Sequence, residues 1–535
     1  MTGINRFALM DALSDRHPAK AWWQGALPEV AGWNWPDKPT WAALDERRNQ
    51  RKEQLSPVLL AERISHQYDR CGMSRPGLVE AISKGAQTVT TGHQLCLAGG
   101  PAFTFYKIRT AMAFAARLES RWGTPVVPVF WLASEDHDFE EISRLWDGTV
   151  WHQWDTPPSG GAVGRMSVDG LDGVLSEWCS AAGVPGESVS GSDGGWGTLA
   201  DAMRDWVHRL FGPDDVVVID GDDAVLKLAF AGTMQREIEA GLVHHHVSLC
   251  DAALAEAGLK PQVHVRKCNL FHLTPGGRHR LEQRGGEWES QGGRTWDSTA
   301  AMSQAVADQP ADFSPNALLR PVYQSYILPD VAIVGGMAEV AYWLQLPGIF
   351  QHLGMIQPVL VPRDGAMVMP ERWSRLMDRC GLKDEHLGGS LQAWIDMLVE
   401  AGDVPDLESW RQALRRNAED ALEAFAAWDG SLEGSVKATL ARMEGLLDKL
   451  EGQSRKAFKR KEQDALGRLE RLHRWVQPDG VLQERVAQFQ YLDALWEVGR
   501  GDGAPLKDVL ARAFEEGHEP GDWRPLMHVL RQSRS

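Results

Sequence analysis

Val89-Thr-Thr-Gly-His-Gln-Leu-Cys-Leu-Ala-Gly-Gly-Pro101 leads into the apolar-rich stretch Ala102 to Leu118, and Val126-Val-Pro-Val-Phe-Trp-Leu-Ala-Ser-Glu-Asp-His-Asp138 follows. Two expected strands ending in polar loops and separated by a helix-length segment read as a βαβ unit. Consecutive strands of such a unit run the same way, so the loops after both open on one edge of a parallel sheet, where ligands bind in doubly wound folds. Thr91, Gly92, His93 and Gln94 should therefore face Ser134, Glu135, Asp136, His137 and Asp138.

The helix of this unit is expected to begin at Gly99-Gly100-Pro101, since Pro suits a first turn and glycines let backbone approach a ligand. Free amides there would attract a phosphate or carboxylate. The chain has neither a GxGxxG fingerprint nor a GxxxxGK[ST] loop, which disfavours the two large nucleotide-binding classes those motifs mark. Ser134 to Glu141 carries five carboxylates, a histidine and a hydroxyl. That density can supply acid/base groups or hold a metal-bound phosphate, and it equally describes a helix start capped by Ser134.

The 535-residue length suggests two or three domains, and 43% hydrophobic residues suit a globular chain. A net charge of −17 argues against nucleic acid as the main partner. Six cysteines, at 71, 96, 179, 250, 268 and 380, form no CxxC pair. They indicate no structural metal and fit reduced thiols in a cytoplasm. No apolar run is long enough to span a bilayer, so no membrane role is expected.

Outward from the βαβ unit, residues 1 to about 85 read as a helical lead-in, with helical spacing from Leu44 to Arg63. The segment from Trp146 to Gly197 reads as a loop-rich insertion. Leu199 to Phe211 is an expected helix, Val216 to Ile219 a buried strand, and Ala224 to Ala257 one long helix. His244-His245-His246 on that helix point in different directions and read as a surface or partly buried triplet. Val263 to Leu273 alternates like a strand and pairs with Arg278 to Glu282 as a hairpin. Its Arg266, Lys267, Arg278 and Arg280 read by default as solvated strand charges.

A second polar and aromatic cluster follows: Phe313 to Asn316, Arg320 to Tyr326, and Val334 to Trp343. Gly335-Gly336 before a helical run is another candidate anion turn, and Glu339 and Tyr342 share one helix face. Strand Val359 to Val361 closes the unit. Beyond it, Leu414, Ala418, Ala421 and Phe425, then Val436, Leu440, Met443, Leu447 and Leu450, give the heptad pattern of a coiled coil over residues 405 to 475. Trp428-Asp-Gly430 would be the bend of an antiparallel hairpin that Pro478 ends.

These segments resemble the cysteine-adding ligases of bacillithiol synthesis. The resemblance rests on Thr91 to Gln94, Gly100-Pro101, Tyr106-Lys107-Ile108, Pro128 to Trp131, Glu135 to Glu141, Phe313-Ser314, Asn316, Arg320-Pro321, Glu339 to Trp343, Pro362-Arg363 and Leu482 to Val486. Two positions depart from the family pattern. Relatives often have Gly-Gln-Gln at Gly92-His93-Gln94, and Gly-Pro-Gly-Glu at Gly336 to Glu339.

The resemblance implies an α/β fold: a Rossmann-like parallel-sheet core related to nucleotidylyltransferases, with an inserted coiled coil that makes a homodimer. On that basis residues 1–380 are the core, 381–476 the coiled coil, and 477–535 a helical segment returning to the core. The implied reaction adds L-cysteine to glucosaminyl malate, and because amide formation in water is uphill, ATP with magnesium is expected to activate the acid. Gly99 and Gly100 would hold a phosphate or carboxylate, and Lys107 would neutralise developing charge. His137 with Asp136 or Asp138 would move the amine proton. Thr91 to Gln94, Tyr106, Ser134, Glu135, Asn316, Arg320, Gly335, Gly336, Glu339, Tyr342 and Trp343 would bind substrates. Two other readings stay open: a different carboxylate-activating adenylyl transferase, against which the missing HxGH-type motif counts, and a coiled-coil scaffold on a degenerate nucleotide fold.

Overall fold

The βαβ unit is the centre of a five-stranded parallel sheet built from β1 (Gln87–His93), β2 (Val126–Leu132), β3 (Val217–Asp220), β4 (Asp330–Gly335) and β5 (Val359–Pro362). A computed structural model of the chain describes residues 3–30, 34–50, 54–155, 161–191, 195–400, 407–499, 503–518 and 523–532. Residues 156–160 and 192–194 of the loop-rich stretch, and 405–406 of the expected coiled coil, lie outside those.

Strand order is β5-β4-β1-β2-β3. In register, Gly92 lies opposite Trp131 and His93 opposite Leu132, while Gly335 lies opposite Pro362. Every residue of β2 is buried, as a parallel strand covered on both faces requires. Successive strands add to one side of β1 and then, from β4, to the other. The reversal opens a crevice between the carboxyl ends of β1 and β4.

Helix α1 (Ala102–Trp122) packs Ala111, Phe114 and Leu118 on Val89, Val126, Val331 and Val334 in one buried cluster. Each large apolar side chain there contributes about 1.5–3 kcal/mol by leaving water. Gly123 ends the helix in the left-handed conformation at φ 65°.

By contact the chain divides into residues 1–370 with 484–535, and residues 371–483. The boundary falls ten residues before the expected 380 because Trp373 stacks on Trp475, ring centroids 5.4 Å apart, within the helical unit. The closing segment is not purely helical. Leu526–Arg531 forms a strand, antiparallel to Gly3–Ala8 and parallel to Gly365–Met369.

Four other expectations change. The lead-in gains the strand Gly3–Ala8, and its helical run is two helices, Trp41–Gln50 and Pro57–Arg70, because Pro57 opens a new first turn. Ala224 to Ala257 is two helices broken at Gly241, which takes φ 59°, and the Glu237 carboxylate accepts the Val243 amide of the second. The loop-rich stretch contains the helix Leu171–Ala182, whose buried Leu171, Val174, Leu175, Trp178 and Cys179 keep helical spacing among Gly and Ser. Within the hairpin the first strand covers only Leu270–Thr274, because the Gln345 side chain holds both backbone groups of Val263 away from the ladder. Further strands Glu287–Ser290 and Thr295–Trp296 extend that antiparallel sheet, and Phe313–Pro315 forms its other edge.

In the helical unit, α2 (Glu408–Trp428) and α3 (Glu433–Lys461) form the antiparallel hairpin, tied by Arg411 to Asp448 and Glu451 and by Arg415 to Glu444. Asp429 takes the Ser431 amide at the bend. The returning arm restarts as Gln463–Val476 after a break at Glu462. Among the described residues no helix is long and apolar enough to cross a membrane.

Candidate active site

A cavity of about 370 Å³ lies at the strand-order reversal. Gly92 and His93 come from the end of β1, Ile333, Val334 and Gly336 from the end of β4, and Asp136 from the loop after β2. Helix α1 contributes Phe103 and Lys107, one turn apart on one face. The helix Arg320–Ile327 contributes Arg320 and Gln324 by the same spacing, and Met337–Trp343 contributes Glu339, Tyr342 and Trp343. Arg363, just after β5, and Arg485 complete the wall.

The loops after β1 and β2 face one another as the βαβ reading requires: the Ala133 amide donates to the His93 carbonyl at 2.9 Å, and Gln94 Nε2 donates to Asp136 Oδ2 at 2.8 Å. Asp136 also accepts the His137 amide at 2.9 Å and lies 3.5 Å from Arg278 Nη1 and 3.7 Å from Arg320 Nη2. Burial would raise its pKa, yet Arg320, Arg278 and the Gln94 amide together hold the carboxyl well below the usual range.

Lys107 is 1% exposed and Glu339 29%, and Nζ meets the Glu339 carboxylate at 2.8 Å while also donating to the Gly92 carbonyl. Burial lowers the Lys107 pKa against the pull of Glu339, and Lys107 holds Glu339 low despite burial. Beside them, burial, reinforced by Lys107, pushes His93 down to about 3. The Tyr342 hydroxyl is raised by burial and then by Glu339.

Among the described residues, several buried donors here find no protein partner: Gln324 Nε2, Arg320 Nε and Arg363 Nε. An unmet buried donor costs about 1–3 kcal/mol, so donors lining a cavity are ready to meet a ligand's oxygens. Glu484 holds both Nη atoms of Arg363, so with Lys107, Arg320 and Arg485 against Asp136 and Glu339 the cavity can hold an anion. Phe103, Trp131 and Trp343 give it apolar faces.

Of the expected residues, Gly92, His93, Gln94, Lys107, Asp136, Arg320, Gly336, Glu339, Tyr342 and Trp343 line the cavity together. The others do not. Thr91 Oγ1 donates to the Val334 carbonyl and ties β1 to β4. Gly99 and Gly100 take φ 79° and 90°, but they do not form an anion cradle. The Ala102 amide at the start of α1 is taken by the Ala487 carbonyl at 2.7 Å. Nor does the turn at Gly335-Gly336 leave its amide free, since Gly336 N–H donates to Glu339 Oε2 at 2.8 Å. Tyr106 is buried against Phe105 and Phe514.

Ser134 caps no helix, because its hydroxyl donates to Asp220. Asp138 is the cap, accepting the Glu141 amide, and that occupies it outside the cavity. Glu135 pairs with Lys227 at 2.6 Å. His137 has a side chain 48% exposed and lies off the cavity wall, with Nδ1 3.4 Å from Oδ1 of Asp136, which does line it. Asn316 accepts the amides of Leu318 and Leu319 and donates to Asn269, holding a turn.

Phe103, Gln324, Arg363, Arg485 and, through Asp136, Arg278 are site residues that the sequence reading did not assign. Arg363 and Arg485 lay inside quoted motifs, which was the available signal. Arg278 carried none: it looked like a surface charge and is buried, donating to Ser314 Oγ and the Pro315 carbonyl.

A Rossmann-like α/β body with a cation-lined cavity at its strand reversal, interrupted by a coiled-coil unit, defines the class of protein. Two family models match in tandem. One, described as the N-terminal Rossmann-like domain of bacillithiol biosynthesis BshC, covers residues 32–364, and the C-terminal coiled-coil domain of BshC covers 366–499. The chain belongs to the bacillithiol biosynthesis BshC family. Curated relatives named "Putative cysteine ligase BshC" include one from Cytophaga hutchinsonii, 32% identical and covering 84% of this chain and 86% of its own. Others come from Flavobacterium johnsoniae, 31% identical over 75% and 77%, and Flavobacterium psychrophilum, 29% identical over 83% and 86%.

Proposed function

We propose that this protein is a ligase that joins the carboxyl group of L-cysteine to the amino group of glucosaminyl malate, forming the amide of bacillithiol in the last step of its synthesis. The observation that carries this is the cavity itself: Arg320 and Arg485, with the unpartnered Gln324 amide and Arg363 Nε, suit the carboxylates of a malyl glycoside. Phe103, Trp131 and Trp343 suit an apolar sugar face and exclude water from a bond that water would hydrolyse.

ATP, with magnesium, is proposed as the source of carboxyl activation. The arginine set and the free Nε atoms of Arg320 and Arg363 fit a phosphate-bearing group. The Gly99–Gly100 turn does not fit one, because its helix amide is occupied. Bound ATP would supply a good leaving group on the cysteine carboxyl. The chain's own residues bind the anions, and Lys107 paired with Glu339 fixes the crevice between β1 and β4. The coiled coil is proposed to pair two copies, and the protein to act in the cytoplasm.

Purified protein given cysteine, glucosaminyl malate and magnesium ATP should yield cysteinyl-glucosaminyl malate by mass spectrometry, and none when ATP is left out. Absence of product with all three present would overturn the ligase reading. Nucleotide transfer to another carboxylate would instead favour an adenylyl transferase.

A further inference from the structure

We infer that Nε2 of His93 is the acceptor that receives the amino group of the sugar substrate; this rests on the ligase reading above. An amine attacks through its lone pair, so the site must orient its N–H bonds with an acceptor while keeping the nitrogen unprotonated. Most charged groups of the cavity are donors: Lys107, Arg320, Arg363 and Arg485.

The carboxylates nearest His93 and the Gly92 carbonyl already hold donors. Asp136 takes the Gln94 amide on Oδ2 and the His137 amide on Oδ1, with Arg320 and Arg278 beside it. Glu339 takes the Lys107 ammonium and the Gly336 amide. The Gly92 carbonyl takes Lys107.

His93 is different. Its Nδ1 sits 3.1 Å from the carbonyl oxygen of Gln94. A carbonyl only accepts, so the ring proton is on Nδ1 and the lone pair is on Nε2. The ring is held at 4.8 Å between centroids by Phe103. The charged groups acting on it are Lys107, Glu339 and Arg363, and the two cations with burial keep it neutral. The same cations disfavour an ammonium in the cavity, so the substrate nitrogen is favoured in its nucleophilic form. A Gln amide oxygen can make the same kind of contact.

The test is calorimetric binding by the full chain of glucosaminyl malate and of 2-deoxyglucosyl malate, which has no donor at the amine-bearing carbon. Wild type should prefer the amino sugar by about tenfold, the size of one well-placed hydrogen bond. His93→Leu should lose that preference while binding the deoxy sugar as before, and His93→Gln should keep most of it. His93→Met replaces the leucine variant if melting shows the latter unfolded. Equal binding of the two sugars by wild type, or a preference undiminished in the apolar variants, would overturn the role of His93 and leave the ligase reading standing. Failure of wild type to bind either sugar would overturn the ligase reading and this inference with it.

Discussion

Lys107 and Glu339, 232 residues apart in sequence, meet at 2.8 Å across the crevice where strand order reverses. Lys107 is the more buried partner, so the two ends of the pair are unequal. Glu339→Ala leaves a buried ammonium with only the Gly92 carbonyl and should cost about 3–5 kcal/mol. Lys107→Met leaves a part-exposed carboxylate that still caps Gly336 and should cost less. The double variant should be more stable than Glu339→Ala alone. Urea denaturation of the three proteins measures this, and equal losses from both single changes would refute the asymmetry.

Asp220 is a buried carboxyl whose pKa is raised to about 6, by burial and then by Asp222. Its folded value lies above the ordinary 3.8, so its contribution to stability is complete below about 4 and is lost as pH rises through about 6. Asp220→Asn removes that loss. Compared with its standing at pH 4, the variant should gain about 1–3 kcal/mol on wild type at pH 7.5. Thermal melting across this window reads the crossover, and a gap that does not change with pH would contradict it.

Arg278→Leu should weaken anion binding without touching the cavity directly. Asp136 keeps a depressed pKa through Arg320, Arg278 and Gln94, so its stabilising contribution is present above the ordinary carboxyl range and lost as pH falls. Without Arg278 the Pro315 carbonyl also loses its donor. A loss of about 1–3 kcal/mol at pH 7 that narrows toward pH 3 is expected from denaturant titration. Calorimetry with malate should show weaker binding. An unaltered stability profile would count against the contact.

Gly164→Ala should disturb the same loop from behind. A Cβ there would collide with the Ser134 side chain and come 3.0 Å from the Ser134 carbonyl oxygen, backbone that cannot easily yield. Overpacking of this kind costs about 1–3 kcal/mol. The expected result is a lower melting temperature together with weaker malate binding, whereas Gly173→Ala, which meets nothing within 4 Å, should change neither.

How much of this could be read in advance differs from residue to residue. The β1–α1–β2 unit was legible because the apolar run of β2 is uninterrupted and its helix has one continuous buried face. Asp136 followed from it, since polar groups at parallel strand ends have few other places to go, whereas Lys107 and Glu339 were named through the family resemblance. Arg278 was not legible. Whether a charged strand residue faces water depends on where the hairpin folds, and the Ser314 and Pro315 partners come from another strand. The Gly99–Gly100 turn misled for a related reason: its open amide is filled by Ala487, hundreds of residues later. Gly241 broke a helix whose composition ran smoothly through it. The helix at Leu171–Ala182 was hidden because Gly and Ser between its apolar positions lower the local hydrophobic signal.

The strand Leu526–Arg531 lies in the middle of its three-stranded sheet, between Gly3–Ala8 and Gly365–Met369. During synthesis on the ribosome, Gly3–Ala8 therefore emerges first and waits for a partner until the whole helical unit has been made. Until then Gly365–Met369 presents an unpaired edge, the kind of surface that recruits other chains. A product halted after residue 483 would expose both flanking strands permanently and should be handled by the cell as a misfolded polypeptide, even though its cavity-forming strands are all present.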